Sequence, residues 1–298
     1  MLLIFAWMAC TGSTKESTTD DSGGQDSSST DDSGSSDVRS FENCGTSVAD
    51  DVPEFYQKYF LCSTISMDNG DVVVVTQNLP PYKTYYYGEG NPNYAEWDDR
   101  GGAYHPNPST LAAGTISMRV PSNPVSKGLT IDDSLVDLQA ETSDEEYNLG
   151  PAGVSPDSVA MFNSVAAPGD DILQEEFTFD EWGSHPAGTE YHHHGANAGA
   201  LAALQYSGLV SSITPGSSEP EVYGIMCDGT VLLGCLELDG STVSGSLDAQ
   251  NGHVGDIKEG STTHFSGRYH IHMCADLGHY GLSPEIQAYQ DCGIARGR

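Results

Sequence analysis

Positive charge is scarce in this chain: 11 lysines and arginines stand against 43 aspartates and glutamates among 298 residues, a formal charge of −32. Such a surface excludes electrostatic binding to nucleic acid or to anionic lipid. Residues 11–40 hold only seven of the acids and two of the bases, so most of the excess lies further along the chain, where it serves solubility. No apolar run approaches the ~20 residues that a membrane-spanning helix needs. The chain also lacks Cys-x-x-Cys, His-Glu-x-x-His, Gly-x-Ser-x-Gly, a glycine-rich phosphate loop and an Asp-x-Asp-x-Asp-Gly loop. The usual signatures of thiolate zinc sites, zinc proteases, serine hydrolases, nucleotide-binding loops and EF-hands are therefore missing.

What the chain does contain is a repeated histidine pattern. One copy reads Asp180-x4-His185, then Gly188 and Tyr191-His192-His193-His194; the other reads Asp248-x4-His253, then Gly267 and Tyr269-His270-Ile271-His272. With 10 histidines and 15 tyrosines in the chain, composition alone yields about 0.02 Tyr-His-x-His matches, so an internal repeat is the better account. On a β-strand, positions i and i+2 share a face. His192 with His194, and His270 with His272, then form two pairs of imidazoles, the side chain that suits zinc and copper. Brought together about a pseudo-twofold axis, the pairs would build one metal site rich in nitrogen donors, with His185 and His253 as extra ligands. Asp180 and Asp248 are candidates to ligate, or to fix a histidine tautomer from behind. Tyr191 and Tyr269 point to the opposite face and pack in the core, while His193 is expected at the surface. His105, His264 and His279 lie outside the repeat and read as ordinary polar residues.

The first ten residues, Met1 to Cys10, are apolar and end in a small residue and a cysteine, which resembles a bacterial lipoprotein signal cleaved before a lipidated Cys10. The basic start is missing and the apolar stretch is short, as a start codon lying further upstream would explain. Residues 11–42, rich in Ser, Thr, Asp and Gly, bury too little apolar surface to fold and read as a flexible tether. Thr11 after Cys10 resembles sorting to the outer membrane. The expectation is export across the inner membrane and attachment, through lipid alone, as an outer-membrane or cell-surface lipoprotein, with residues 43–298 forming a single domain.

Six cysteines remain after Cys10. An even number in an exported chain suggests three disulfides. Short loops favour Cys44–Cys62 and Cys274–Cys292, which leaves Cys227–Cys235. Strand signals dominate the domain: the β-branched run 71–77 after Asn69-Gly70, the alternating 114–120, and segments 158–162 and 268–273. Segments 222–227 and 230–233 flank Asp228-Gly229, a hairpin turn. Residues 196–206 read as a helix. Ser283-Pro284 reads as the start of a short one. Residues 83–110 and 141–156 are loop-like, and Tyr85-Tyr86-Tyr87 reads as edge packing or as a groove lining. The expected fold is mainly β, with long loops, few short helices and two related halves.

These residues resemble the YHYH-domain family, mostly exported bacterial proteins without an established function. The resemblance runs over roughly residues 69–280. It rests on Asn78-Leu-Pro80, Asn91-Pro-Asn93, Phe179-Asp180 through His185-Pro186 to Tyr191-His-His-His194, Tyr223-Gly-Ile-Met-Cys-Asp228-Gly229, Leu247-Asp248-Ala-Gln-Asn251-Gly252-His253 and Tyr269-His-Ile-His272. His193 and Ile271 stand where that family often has its second tyrosine, while both imidazole pairs survive. Fragments similar to copper-zinc superoxide dismutase, His253-Val-Gly-Asp256 and the His-x-His at 270–272, occur in the reverse of that family's order and carry no weight. Three functions follow from the sequence: capture or display of zinc or copper, a metal-dependent enzyme (hydrolase or copper oxidoreductase), and an adhesion or carbohydrate-binding module using Tyr82–Tyr94.

Overall fold

The computed structural model describes residues 38–138, 144–168, 170–290 and 292–297. The expected signal segment with Cys10, and residues 11–37 of the expected tether, lie outside the described residues. Residues 38–42, also given to the tether on composition, make specific contacts. The Arg39 N–H donates to Asn93 Oδ1 at 2.8 Å, Asn93 Nδ2 donates to Arg39 O at 2.8 Å, and Phe41 stacks on Tyr206. An arginine and an aromatic ring supply the anchorage that the Ser/Asp composition around them lacks.

The chain opens with β1 (Ser47–Val48), α1 (Glu54–Tyr59), β2 (Ser63–Asp68), β3 (Asp71–Thr76) and β4 (Thr115–Val120). Next come β5 (Gly153–Val154), β6 (Ala160–Met161), α2 (Ile172–Glu175), β7 (Ser184–Ala187), β8 (Glu190–His193) and α3 (Ala198–Tyr206). It closes with β9 (Val222–Met226), β10 (Val231–Leu233), β11 (Gly252–Glu259), β12 (Thr262–His272) and β13 (Gly293–Gly297). The mainly β reading holds. The Asn69-Gly70 turn joins β2 to β3 and Asp228-Gly229 joins β9 to β10, both antiparallel. Asn197 caps α3 by accepting the Ala200 N–H at 2.7 Å. The helix read from Ser283-Pro284 does not form. Residues 285–289 instead form isolated bridges separated by bends and pair with distant backbone, Tyr147 N–H donating to Glu285 O and Gln287 N–H to Glu145 O. A local cap signal, worth about 1 kcal/mol, loses to such long-range pairing.

The strands form two sheets. The smaller has the order β1-β2-β3-β4-β13, and in β3 Val72, Val74 and Thr76 alternate inward, as expected where one face is covered. The larger has the order β11-β12-β10-β9-β5-β6-β8-β7. That order is a palindrome of the repeat. In one half β5 and β6 form a hairpin, β6 runs parallel to β8, and β8 pairs with β7. In the other, β9 and β10 form a hairpin, β10 runs parallel to β12, and β12 pairs with β11. The halves meet where β5 pairs antiparallel with β9, with Val154 opposite Ile225. A pseudo-twofold axis therefore passes between them. The backbones approach closely there: a Cβ on Gly224, at φ +149°, would lie 2.3 Å from Val154 O. β9 and β10 are buried on both faces, which is why they read as unbroken apolar runs.

Cys44–Cys62 is a disulfide, as expected. The other two pairings differ from expectation: Cys227 joins Cys292, and Cys235 joins Cys274. Cys227 lies at the turn of the β9–β10 hairpin and Cys235 past its open end. Nearness in sequence thus becomes separation in space, about 3.3 Å for each extended residue. Three disulfides suit an oxidising, extracytoplasmic compartment. No helix among the described residues is long and apolar enough to cross a membrane.

Candidate metal centres

Both copies of the repeat build the same local structure. Asp180 Oδ1 accepts the N–H groups of Trp182 and Ser184 at 3.0 and 3.2 Å, and Oδ2 accepts the Tyr191 hydroxyl at 2.5 Å. Asp248 Oδ1 accepts those of Gln250 and Gly252 at 3.1 and 2.7 Å, and Oδ2 accepts the Tyr269 hydroxyl at 2.7 Å. Gly183 and Asn251 occupy the same left-handed turn position, at φ +77° and +60°. Register then sets His185 opposite His192 and His253 opposite His270. The aspartates thus meet no ring nitrogen: their hydrogen bonds go to the turn, to the tyrosine and, at Asp180, to the Thr84 hydroxyl. Burial raises the Asp180 carboxyl to about 6, against hydrogen bonds from Thr84, Tyr191 and Trp182 that favour the anion. Tyr191 and Tyr269 are buried on the core side, as expected.

The repeat yields two centres and not one. His185, His192 and His194 form the first; His253, His270 and His272, joined by Glu237, form the second, and within each the donor atoms lie within 4.8 Å of one another. From β8 to β12 the sheet order passes through β6, β5, β9 and β10. Five spacings of about 4.8 Å put the centres roughly 24 Å apart. The twofold axis that relates the halves holds the histidine pairs at opposite ends of the sheet.

In the first centre, His192 Nε2 lies 3.1 Å from His185 Nε2 and 2.9 Å from His194 Nε2. The other ring nitrogens are committed. His192 Nδ1 donates to Glu190 O at 2.8 Å and His194 Nδ1 to Asn163 O at 2.7 Å. Thr178 donates its hydroxyl proton to Glu175 O, so at 2.6 Å it accepts from His185 Nδ1. The 3.4 Å approach of Asn107 Nδ2 to that nitrogen is longer than its 3.0 Å bond to Pro186 O. Three bare Nε2 lone pairs therefore point at one another. Phe162 stacks on His192 with centroids 3.7 Å apart, and Phe179 packs edge-on against His185 and parallel to His194. Burial, then the neighbouring His194, pushes His185 down to about 2; burial likewise takes His194 to about 4 and His192 well below its ordinary value. Protons therefore do not relieve the crowding of lone pairs near neutral pH. A cation would, and tetrahedral bonds of 2.0–2.1 Å would set the nitrogens about 3.3 Å apart, close to the spacing seen.

The second centre adds a carboxylate. Glu237 Oε2 lies 3.2 Å from His270 Nε2, and Oε1 lies 3.2 Å from His253 Nε2 and 3.7 Å from His272 Nε2. His253 Nε2 and His272 Nε2 are 3.2 Å apart. His270 Nδ1 donates to Arg268 O at 3.0 Å and His272 Nδ1 to Gly234 O at 2.8 Å, which again leaves Nε2 for the centre. Burial works to raise the Glu237 carboxyl, but its bonds to the three histidines outweigh it and hold the group well below the usual range. Glu237 arrives from the loop after β10, and no spacing rule points to it. The same holds for Glu175 at the end of α2, whose Oε1 lies 3.6 Å from His185 Nε2. Burial and the nearby Asp170 raise Glu175 to about 7.

His193 is not at the surface. It is fully buried, between Ser184 Oγ at Nδ1 and Asp157 Oδ2, 3.2 Å from Nε2. Tyr82 also donates to Asp157, at 2.8 Å. Ser184 and Asp157 are fully buried too, so this serine–histidine–aspartate chain meets no substrate and ties β8 to the core. Ile271, its counterpart, fills the same inward position with an apolar side chain. Of the histidines outside the repeat, His264 packs against Phe55 and Tyr59, and His279 is held down to about 4 by burial. Tyr85–Tyr87 forms a single 3-10 turn with Tyr86 buried, which is edge packing.

Compared with family models, with curated proteins and with solved structures, the chain gives no match.

Proposed function

We propose that this is an extracytoplasmic metal-binding protein holding one ion, zinc or copper, at each of its two histidine centres. The observation that carries the reading is the convergence of bare Nε2 atoms in the buried first centre, with the Nδ1 protons spent on backbone and hydroxyl acceptors. Ligating histidines are held in this way, and imidazole suits both metals. When bound, the ion supplies the positive charge that the facing lone pairs and Glu237 call for. The reading includes export and attachment through lipid at Cys10, supported by the Met1–Cys10 segment, the Ser/Asp-rich stretch after it and the three disulfides. It also keeps the YHYH-domain resemblance as the family proposed for the chain.

Elemental analysis of protein made in an oxidising compartment tests the metal reading. Two equivalents of zinc or copper are expected. His192→Ala with His194→Ala leaves one equivalent, as does His270→Ala with His272→Ala. Protein that retains no metal after reconstitution with either ion refutes the proposal.

A further inference from the structure

The two centres differ in what completes them. In the second, Glu237 reaches all three imidazoles, so the chain itself offers four donors. In the first the mutually close donors are three imidazoles, and Glu175 approaches His185 alone. Zinc sites of four protein ligands are structural, whereas sites of three leave a position for an exogenous molecule.

Space lies beside the centre, on the side of His185 and Glu175 and not of His192 or His194. A cavity of about 290 Å³ opens onto His185, lined by Asn107, Asp170, Asp171, Gln174, Glu175 and Thr178. At about 30 Å³ per water-sized group it holds roughly ten. Its lining is polar and carries no lysine or arginine; a cation held beside His185 would keep Glu175 ionised against the burial that raises it in the metal-free chain, so three carboxylates repel an anion. Glu175 Oε2 is buried and has no hydrogen-bond partner among the described residues. A buried oxygen in that state costs about 1–3 kcal/mol until a donor reaches it. A groove of about 930 Å³ passes His253 in the second centre, but there Glu237 already stands at the ring nitrogens.

We propose that the first centre is open and binds a small uncharged molecule that presents a lone pair beside an N–H or O–H, the lone pair at the fourth coordination position and the N–H or O–H to Glu175 Oε2, while the second centre is closed by Glu237. The proposal rests on metal occupying both centres. It gives the halves separate roles: a holding site in one, a ligand-exchange site in the other.

The test loads the full chain with two equivalents of Co(II) and follows the visible absorption of the metal. Pyrazole is the probe, 1-methylpyrazole the analogue without the N–H, and azide the anion. One of the two cobalt ions is expected to respond to pyrazole. 1-Methylpyrazole binds at least tenfold more weakly, the loss of a hydrogen bond to a charged group. Azide is weak, and Glu175→Gln tightens it roughly tenfold by removing a nearby negative charge. Glu237→Ala makes the second cobalt responsive as well. If both cobalt ions stay silent, if both respond alike in the unaltered protein, or if azide binds as tightly as pyrazole, the proposal is overturned while the metal reading stands. Failure to take up cobalt, zinc or copper overturns both.

Discussion

Replacing Tyr191 with phenylalanine tests the role assigned to the aspartates. The tyrosine and Asp180 are both buried, and the hydroxyl donates to Oδ2 at 2.5 Å. The substitution removes one hydrogen bond to a carboxylate and almost no volume. Thr84, Trp182 and Ser184 still serve Asp180, so the carboxylate is weakened and not orphaned. The loss is then that of one such bond, about 2 kcal/mol. For a domain of this size that lowers the melting temperature by roughly 4–8 °C. Tyr269→Phe breaks the matching bond to Asp248 and also takes an acceptor from Gln250, so its cost is at least as large. The centres are far apart and share no partner, so the double variant loses about 4 kcal/mol, the sum. Calorimetry of metal-free protein reads the stability, and equilibrium dialysis reads the metal. Both equivalents should remain bound with affinity changed less than tenfold. A tenfold or greater loss of metal affinity, or a melting temperature unmoved within about 1 °C, would refute a structural role for the Tyr–Asp pairs.

Three further outcomes are expected. Below pH 6.5 the histidines of the metal-free first centre oppose folding: His194 is held near 4 and His185 near 2, against an ordinary 6.5, so at these two positions the unfolded chain binds more protons. Their contribution to stability then falls from pH 6.5 towards 4 by about 1.4 kcal/mol per unit for each such histidine. Glu175 and Glu181, raised to about 7, Asp180, raised to about 6, and Glu285, raised to about 8, act the other way by favouring the fold as pH drops, so the histidine effect is read as the difference in urea stability between the protein and its His185→Ala, His194→Ala variant; a difference that does not change between pH 6.5 and 4 would show the effect to be absent. Cys235→Ser with Cys274→Ser should weaken the second centre about tenfold and spare the first, read by dialysis on each single-centre protein. The bridge joins Cys235, beside the Gly234 carbonyl that holds His272, to Cys274, two residues past His272. Gly224→Ala should prevent folding or cost several kcal/mol, because its Cβ would sit 2.3 Å from Val154 O across the pseudo-twofold axis; near-normal urea stability would contradict that close approach.

Much of the candidate site was legible before the fold. Tyr-His-x-His, read with strand period, put His192 and His194 on one face and Tyr191 on the other, and the same for His270, His272 and Tyr269. Matching Asp-x4-His segments added His185 and His253. Glu237 and Glu175 were not legible, since each comes from a separate loop or helix and no local pattern ties it to a histidine. Nor was the inward position of His193: a strand covered on both faces has no solvent side, and alternation alone does not say how many faces are covered. The Ser283-Pro284 helix failed for a related reason, local propensity yielding to pairing with residues 145–147.

The sequence alone determined the β character, the duplication and which histidines fall in the two clusters, because strand period and repeat spacing are local and survive any arrangement of the halves. Tertiary structure alone decided that the halves join through β5 and β9. That join sets the histidine clusters at opposite ends of one sheet, gives one of them Glu237 and leaves the other beside a polar cavity. Disulfide pairing was decided at the same level, since a hairpin carries Cys227 and Cys235 apart and brings each to a cysteine distant in the chain. These outcomes depend on distances between segments far apart in sequence, which residue spacing does not encode.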